Sequence, residues 1–360
     1  MGRLVHVRLA CVALTLSAAS ISAAESPLVA AAKREGRVVV YSVLSAAAAQ
    51  PLIADFEAAY PGIKVDYDGD KGSNDMDARF RRESAAGEPT ADVVWSSAMD
   101  MQMQLVAQGY AETYRSPEAR GLPRWANYRA KAYGTTLEPV VIVYNRNTLP
   151  ASDVPRDHDA LAKLLSTQTE RFAGKVTGFD IVKSGVGYMF AAQDEAAYPR
   201  YPALLTAFGA AGIQPSGGTG EMLSAINSGK FLIGYNMMGA YAAGRSRKDL
   251  PNLAWVYPAD YTLLLSRVAF VNKRAANPNA ARLWLDYLLS ARGQKVMGDR
   301  LELYPIRNGI EARFTATRLV ADIGPSFRPI PLDMRLVKAL SPAETNRILA
   351  KWRAAKALPN

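Results

Sequence analysis

The sequence predicts an α/β protein whose sheets are mainly parallel and flanked by helices. Apolar, strand-like runs alternate with helix-like stretches along most of the chain, and the same alternation starts again after residue 137. A chain of 360 residues with 49% hydrophobic side chains is also long and apolar enough for two full-sized cores. In sheets of this class, ligands bind beyond the carboxyl ends of the strands.

Residues 1–24 have the pattern of a secretory signal peptide. Arg3 and Arg8 precede a short apolar run, and small residues precede Glu25. The run is shorter than the roughly 20 residues that a membrane helix needs. We expect cleavage after Ala24 and a periplasmic location. An exported chain without an RNA or DNA motif is not expected to bind nucleic acid.

The first unit begins as a regular β-α series. Strands are predicted at 36–42, 63–68 and 91–97, and helices at 46–60, 73–86 and 98–109. Ser73 or Asn74 is expected to cap the second helix, and Gly109 to end the third. Trp95 is expected to be buried with its strand. A series of this kind favours a parallel sheet with helices on both faces.

The second unit has the same character. A long apolar strand run starts at Glu138, and strands follow at 175–180 and 230–238. His158 is expected to be a solvated loop residue between two aspartates. A strand run from Leu263 leads into one helix of about five turns that ends near Met297. The last predicted helix, from Ser341, carries Ile348, Trp352 and Ala355 on one face.

The composition excludes several kinds of site. One Cys and two His are too few for a zinc cluster, a Cys–His nucleophile pair or an iron–sulfur centre. The sequence also has no Gly-x-Ser-x-Gly elbow, no His-Glu-x-x-His motif and no P-loop. We therefore expect a protein that is not an enzyme, with no cofactor and no metal bound directly.

Several segments resemble, in order and spacing, a family of periplasmic solute-binding proteins of ABC importers. They are GRVVVYSVLSAAAAQPLIADFEAAYPGIKVDYD, ADVVWSSAMDMQMQLVAQGY, YGTTLEPVVIVYNRNTLP, INSGKFLIGYNMMGAYA and AFVNKRAANPNAARLWLDYLLSARGQKVM. The similar branch includes receptors for ferric iron, phosphonates and sugar phosphates. The resemblance implies two lobes that close on a ligand about a hinge of crossing strands. It places lobe one at 27–137 plus 265–360 and lobe two at 138–264, with the hinge near Glu138 and Pro139.

The residues at the family's iron-binding positions argue against direct iron binding. The slot for the tandem tyrosines falls at Gly239 and Ala240, with tyrosines instead at 235 and 241. The loop after the first strand offers Ser42 and Ser45 but neither His nor Glu. A ferric ion needs several anionic oxygen ligands, and these positions do not supply them.

Hydroxyls and glycines at predicted helix starts make up the candidate ligand site. A helix N-terminus offers free N–H groups and partial positive charge, so several that converge on one cleft favour an anion. The alternative is that they are ordinary helix caps. Tyr188, Tyr235 and Asn236 are added as contacts from lobe two, with core packing as their alternative. The other candidates are Ser42, Ser45, Ser96, Ser97, Ser184 and Gly185.

These features predict a monomeric receptor that captures a small anion bearing a phosphate, phosphonate or carboxylate. Its partners would be the permease subunits of an ABC importer. A ferric receptor that uses a synergistic anion and a ligand-sensing partner of a membrane sensor kinase are the alternatives. The net charge of +10 is not evidence for an anion, because residues 25–327 carry only +3 and the rest lies at the two ends.

Overall fold

The computed structural model describes residues 2 and 25–356, so the predicted signal peptide lies outside the described residues. Two mixed sheets, each flanked by helices, form the molecule, and the predicted α/β class is confirmed. The strands are β1 (Arg37–Ser42), β2 (Lys64–Asp68), β3 (Val93–Ser96), β4 (Asn127–Tyr128), β5 (Ala132–Gly134), β6 (Glu138–Asn145), β7 (Val176–Phe179), β8 (Gln214–Ser216), β9 (Ile233–Met238), β10 (Leu253–Val256), β11 (Thr262–Leu265), β12 (Val268–Val271) and β13 (Phe327–Pro329).

Fifteen α-helices are seen within residues 25–356. They are α1 (Pro27–Glu35), α2 (Ala46–Ala59), α3 (Ser73–Ala86), α4 (Met99–Ala107), α5 (His158–Thr167), α6 (Thr169–Phe172), α7 (Gly185–Ala197), α8 (Tyr201–Ala210), α9 (Thr219–Asn227), α10 (Gly239–Lys248), α11 (Pro278–Leu289), α12 (Ala291–Arg300), α13 (Ala316–Ile323), α14 (Met334–Ala339) and α15 (Pro342–Lys356).

The order of strands in each sheet shows where the chain crosses from one to the other. The first sheet runs β2-β1-β3-β12-β5-β4, and the second runs β13-β11-β6-β9-β7-β8, with β10 also paired to β6. Strands β1–β3 are parallel, as are β7–β9. The strands that cross between sheets pair antiparallel, which makes both sheets mixed rather than mainly parallel.

We propose that each sheet is the core of one lobe. The chain passes from β5 to β6 through residues 135–137 and returns from β11 to β12 through Ser266 and Arg267. Strand β13 pairs with β11 of the second sheet, and α15 packs against α8. We therefore assign residues 327–356 to lobe two, whereas the sequence placed them in lobe one.

Two local predictions are wrong for identifiable reasons. Helix α3 begins after Gly72, and no side chain caps it. The single long helix that ends near Met297 is two helices, because Ser290 is extended and its hydroxyl accepts a hydrogen bond from the N–H of Gly293. The capping bond starts a new helix at Ala291. Trp95 is fully buried, as predicted.

His158 is a buried residue, not a solvated one, and this corrects the sequence-based prediction. Only 2% of it is exposed. Its Nδ1 lies 2.9 Å from both carboxylate oxygens of Asp260, and its ring stacks on Tyr261 at 4.2 Å between centroids. The flanking aspartates suggested solvent, but α5 begins at this residue and turns the ring inward.

A buried carboxylate, Asp194 of α7, joins three elements of lobe two. It accepts hydrogen bonds from the hydroxyls of Tyr235 and Tyr261, each at 2.8 Å, and from the Asn236 amide at 2.6 Å. Burial raises the pKa of Asp194, while nearby His158 and these donors oppose the rise. The network fixes β9 against α7 and thereby positions the start of α10, which directly follows β9.

Removal of the hydrogen bonds to Asp194 should destabilise the fold, and the loss should grow with the number of bonds removed. Tyr235→Phe should lower the free energy of unfolding by about 1–2 kcal/mol, and Asp194→Ala, which leaves two buried hydroxyls and one half-buried amide unpaired, by about 3 kcal/mol or more. Urea unfolding followed by circular dichroism measures both. Tyr110→Phe is the control, because within residues 25–356 its hydroxyl makes no hydrogen bond and its ring packs on Phe80. Equal effects for Tyr235→Phe and the control would contradict the network.

A second buried carboxylate should make stability depend on pH. Asp100, in α4, is 1% exposed; Oδ1 accepts from the Met101 N–H, whereas Oδ2 has no partner among the described residues. Burial raises the pKa of Asp100 from 3.8 to about 7. In the unfolded chain Asp100 loses its proton at a lower pH than it does in the folded protein. The free energy of unfolding should therefore fall as pH rises from about 4 to about 7 and stay reduced above that.

Asp100→Asn should remove this loss. We expect its Tm to exceed that of the wild type by about 2–4 °C at pH 8 and to match it near pH 4. Thermal unfolding at the two pH values measures the difference. Asp75→Asn, an exposed carboxylate in the first turn of α3, serves as the control. A gain of the same size at both pH values would show that ionisation of Asp100 is not the cause.

Candidate functional site

The three parallel strands of lobe one end at the same edge of their sheet. Ser42, Asp68 and Ser96 are their last residues, and the register of β1 with its neighbours aligns these ends. Ser42 and Ser96 are each 1% exposed. Their hydroxyls accept hydrogen bonds from the N–H groups of Leu44 and Ala98, so each serves the turn that follows its strand.

The other three predicted serines lie at the starts of helices α2, α4 and α7. Ser45 is exposed and caps α2, with its hydroxyl accepting from the Ala48 N–H at 3.3 Å. Ser97 is buried just before α4. Ser184 caps α7, with its hydroxyl accepting from the Gly187 N–H at 3.2 Å. Each capping role is local, so these bonds would form in any helix that begins at these residues.

The start of α7 in lobe two touches α3 and α4 of lobe one. The Asn74 amide donates to the carbonyl of Lys183 at 2.8 Å. A Cβ on Gly185 would lie 2.7 Å from Sδ of Met101, so a larger residue here would force the Met101 side chain to move. The structure therefore brings the Ser96–Ser97 and Ser184–Gly185 segments near the same contact between lobes.

The three predicted contacts from lobe two point into its interior. The Tyr188 hydroxyl donates to the carbonyl of Ala339 at 2.5 Å, and Tyr188 is buried. Tyr235 and Asn236 both bind Asp194. Neighbouring strand residues normally face opposite sides, but the pairing of β6 with β9 is irregular here and Asn236 has a φ of 53°. This irregularity lets both side chains reach one carboxylate.

A cavity of about 450 Å³ lies between the lobes, and we call it the cleft cavity. Lobe one contributes the start of α2, and lobe two contributes α10. A segment after α12 closes one side. Its lining residues are Leu44, Ala48, Ala240, Tyr241, Gly244, Arg245, Arg247, Lys248, Leu301, Glu302, Leu303 and Arg313. A volume of this size suits a small solute.

The lining of the cleft cavity is strongly basic. Four cationic side chains face one carboxylate, that of Glu302, which lies 3.3 Å from Arg247 and 3.6 Å from Arg313. Arg245 pairs with Asp249 at 2.7 Å, and Lys248 is exposed. Even with Asp249 counted beside Glu302, two carboxylates cannot neutralise four cations, so the local potential favours an anion. None of these four cationic residues was predicted from the sequence to belong to the site.

A buried ion pair lies behind the inner wall of the cleft cavity. Arg267 and Glu138 are 1% and 0% exposed, and Nε of Arg267 lies 2.9 Å from a carboxylate oxygen of Glu138. Nη2 of Arg267 also donates to the hydroxyl of Tyr241, a lining residue, at 3.3 Å. Burial opposes the charge of Arg267, but Glu138 outweighs it and the pKa of Arg267 is raised.

Tyr67, at the end of β2, completes this inner region. Its hydroxyl donates to the carbonyl of Leu44, another lining residue, at 3.0 Å. Burial raises the pKa of Tyr67, and the positive charge of Arg267 partly offsets the rise. One feature of the sequence could have indicated Arg267 as a functional residue: it is the single charged residue within the apolar run from Leu263 to Val271.

A larger cavity, of about 580 Å³, is lined only by residues that we assign to lobe two. Its acidic and basic side chains largely pair with each other. Arg335 binds Asp333, while Arg347 and Lys351 bind Glu195. The lining of this larger cavity holds four cations and three carboxylates, a smaller excess of positive charge than in the cleft cavity, so the cleft cavity is the better candidate for an anion.

Comparison with known proteins identifies relatives in sequence and in fold. The profile of the family described as bacterial extracellular solute-binding protein matches residues 42–295. The substrate-binding protein of an ABC transporter from Agrobacterium tumefaciens has 32% sequence identity and a TM-score of 0.83. The alignment covers 89% of this chain and 94% of that one. A search of curated proteins finds no match.

Two further solved structures share the fold at lower identity. The apo ferric ion-binding protein A of Pasteurella haemolytica is 21% identical, with a TM-score of 0.71 and coverage of 89% of this chain and 98% of that one. The periplasmic binding protein AfuA of Actinobacillus pleuropneumoniae, solved with fructose 6-phosphate, is 19% identical, with a TM-score of 0.70 and coverage of 90% and 100%.

None of the helices described within residues 25–356 has the length and apolarity required to cross a membrane. The profile match spans more than half of the chain, and the Agrobacterium structure matches nearly all of it. Together with the two-sheet fold, these matches show that the chain belongs to the family of bacterial extracellular solute-binding proteins, the solute-binding receptors of ABC transporters.

Proposed function

We propose that this receptor captures a small anionic solute in the cleft cavity and delivers it to an ABC importer in the inner membrane. The observation that carries the proposal is the lining of that cavity, where four cations face one carboxylate. Wall residues come from both sides of the lobe boundary, so closure about the crossing segments would enclose the solute. Binding and release need no covalent chemistry.

Two observations favour an organic anion over a directly bound ferric ion. Gly239 and Ala240, at the family's tandem-tyrosine slot, carry no oxygen ligand in their side chains. The hydroxyl of Tyr235 is bound to Asp194 inside lobe two. An excess of positive charge would also repel a bare ferric ion, so iron would enter only as part of an anionic complex.

A ligand panel tests the proposed function. We expect fructose 6-phosphate, 2-aminoethylphosphonate or citrate to raise the Tm of the protein purified from the periplasm. A ligand at 100 times its Kd adds about 2.7 kcal/mol of stability. A shift with ferric citrate alone, accompanied by a visible tyrosinate absorption band, would instead support the ferric alternative.

N-terminal sequencing of the same sample should begin at Glu25 if the signal peptide is cleaved as predicted.

Charge reversal at the cavity should weaken anion binding. Lys248→Glu should raise the Kd of the tightest ligand of the panel roughly 3- to 10-fold at low ionic strength and less at 0.5 M salt, because exposed charges are screened. Isothermal titration calorimetry measures both conditions. Lys163→Glu, an equal change on the exposed face of α5, should leave the Kd unchanged. Equal losses in the two variants would point to net charge rather than to the cavity.

A further inference from the structure

Two nitrogens of the Arg267 guanidinium, behind the cleft cavity, have no hydrogen-bond partner within the described residues. Nη2 of Arg267 donates to Glu138 and to Tyr241, each at 3.3 Å. The unpaired nitrogens are Nε, which still lies 2.9 Å from a carboxylate oxygen of Glu138, and Nη1. A buried, charged donor without a partner is costly, and buried polar groups in folded proteins are nearly always paired. An acceptor that is not part of the chain would remove this cost.

The ion pair alone does not explain the unpaired donor. Glu138 neutralises the guanidinium through the side that carries Nε and Nη2. The ion pair with Glu138 therefore does not involve Nη1. The backbone N–H of Arg267 is also satisfied, because it donates to the Thr136 hydroxyl at 2.9 Å. A buried pair of this kind is expensive to desolvate and is weak evidence for a purely stabilising role.

The groups around Arg267 connect it to the cleft cavity from both lobes. Tyr241, from α10 of lobe two, lines the cavity and accepts from Nη2. Tyr67, from lobe one, binds the carbonyl of Leu44, which also lines the cavity. Arg267 itself lies on the segment that crosses between the lobes. Lobe one, lobe two and the crossing segment therefore meet at this one guanidinium.

We propose that Nη1 of Arg267 is the inner anchor for the anionic group of the solute, with Tyr241 orienting the guanidinium. The proposal rests on the proposed function and adds a residue that determines specificity for oxyanions. Glu138 occupies the Nε–Nη2 side, so the solute meets the Nη1 end while its remainder faces the basic lining of the cavity. A carboxylate, a phosphate and a phosphonate all supply the required oxygen acceptor.

Two variants of Arg267 test the anchor by calorimetry against fructose 6-phosphate, 2-aminoethylphosphonate and citrate. Arg267→Lys keeps a positive charge beside Glu138 but removes Nη1. The double variant Glu138→Gln, Arg267→Gln removes both charges together, so neither is left buried alone. We expect the Kd of the probe that binds the wild type most tightly to rise roughly 10- to 100-fold in both, because a hydrogen bond between charged groups is lost.

The matched control is a second Arg–Glu pair, in lobe one. Arg282 and Glu112 are bridged at 2.5 Å, and neither lines the cleft cavity. The double variant Glu112→Gln, Arg282→Gln should retain the wild-type Kd. If a folded Arg267 variant also binds within twofold of the wild type, the anchor is overturned while the proposed function stands. If the wild type binds none of the three probes, both proposals are overturned.

A crystal structure of the wild type with its tightest probe decides the matter even if the Arg267 variants do not fold. We expect an anionic oxygen of the probe within hydrogen-bond distance of Nη1. A probe bound in the cleft cavity with every anionic oxygen beyond about 4 Å from Nη1 would overturn the anchor and leave the proposed function intact.

Discussion

The buried contact between the two segments that cross from sheet to sheet is the constraint on which the site depends. Glu138 begins one crossing strand and Arg267 follows the other, and both are excluded from solvent. Thr136 joins them: its hydroxyl donates to Glu138 and accepts from the backbone N–H of Arg267. These bonds hold the two segments side by side. The proposed closure would therefore turn the lobes about this pair of bonded segments rather than separate the two segments.

Charge is distributed in this molecule so that the cleft differs from the rest of its surface. The described chain contains many Arg–carboxylate pairs, including those around the larger cavity in lobe two. Around the cleft cavity one carboxylate faces four cations. A local imbalance of this kind influences a small charged solute more than the net charge of the chain does. At about 0.1 M salt, charges farther than about 10 Å from the solute are largely screened. The basic ends of the sequence thus have little bearing on the site.

Sequence reasoning was most successful where structure is local. Ser45 and Ser184 both cap helices, which the sequence offered as the alternative to ligand binding, because a cap needs only a hydroxyl and N–H groups within three residues. It was least successful where a side chain had to be assigned a direction. Tyr235 and Asn236 share Asp194 because of an irregular strand pairing and a positive φ, and the spacing of residues in β9 gives no sign of either. His158 was misplaced because its neighbours in the sequence are polar whereas its neighbours in space are aromatic.

The sequence by itself determined the α/β class and the family resemblance, since periodicity and the order of elements are properties of successive residues. It also established the scarcity of soft metal ligands. Only the tertiary structure decided which residues face the cleft. The basic lining comes from α10 and the segment after α12, and the buried guanidinium comes from a crossing segment, at positions far apart along the chain. Their proximity results from the pairing of strands across two sheets, and no local pattern in the sequence records that pairing.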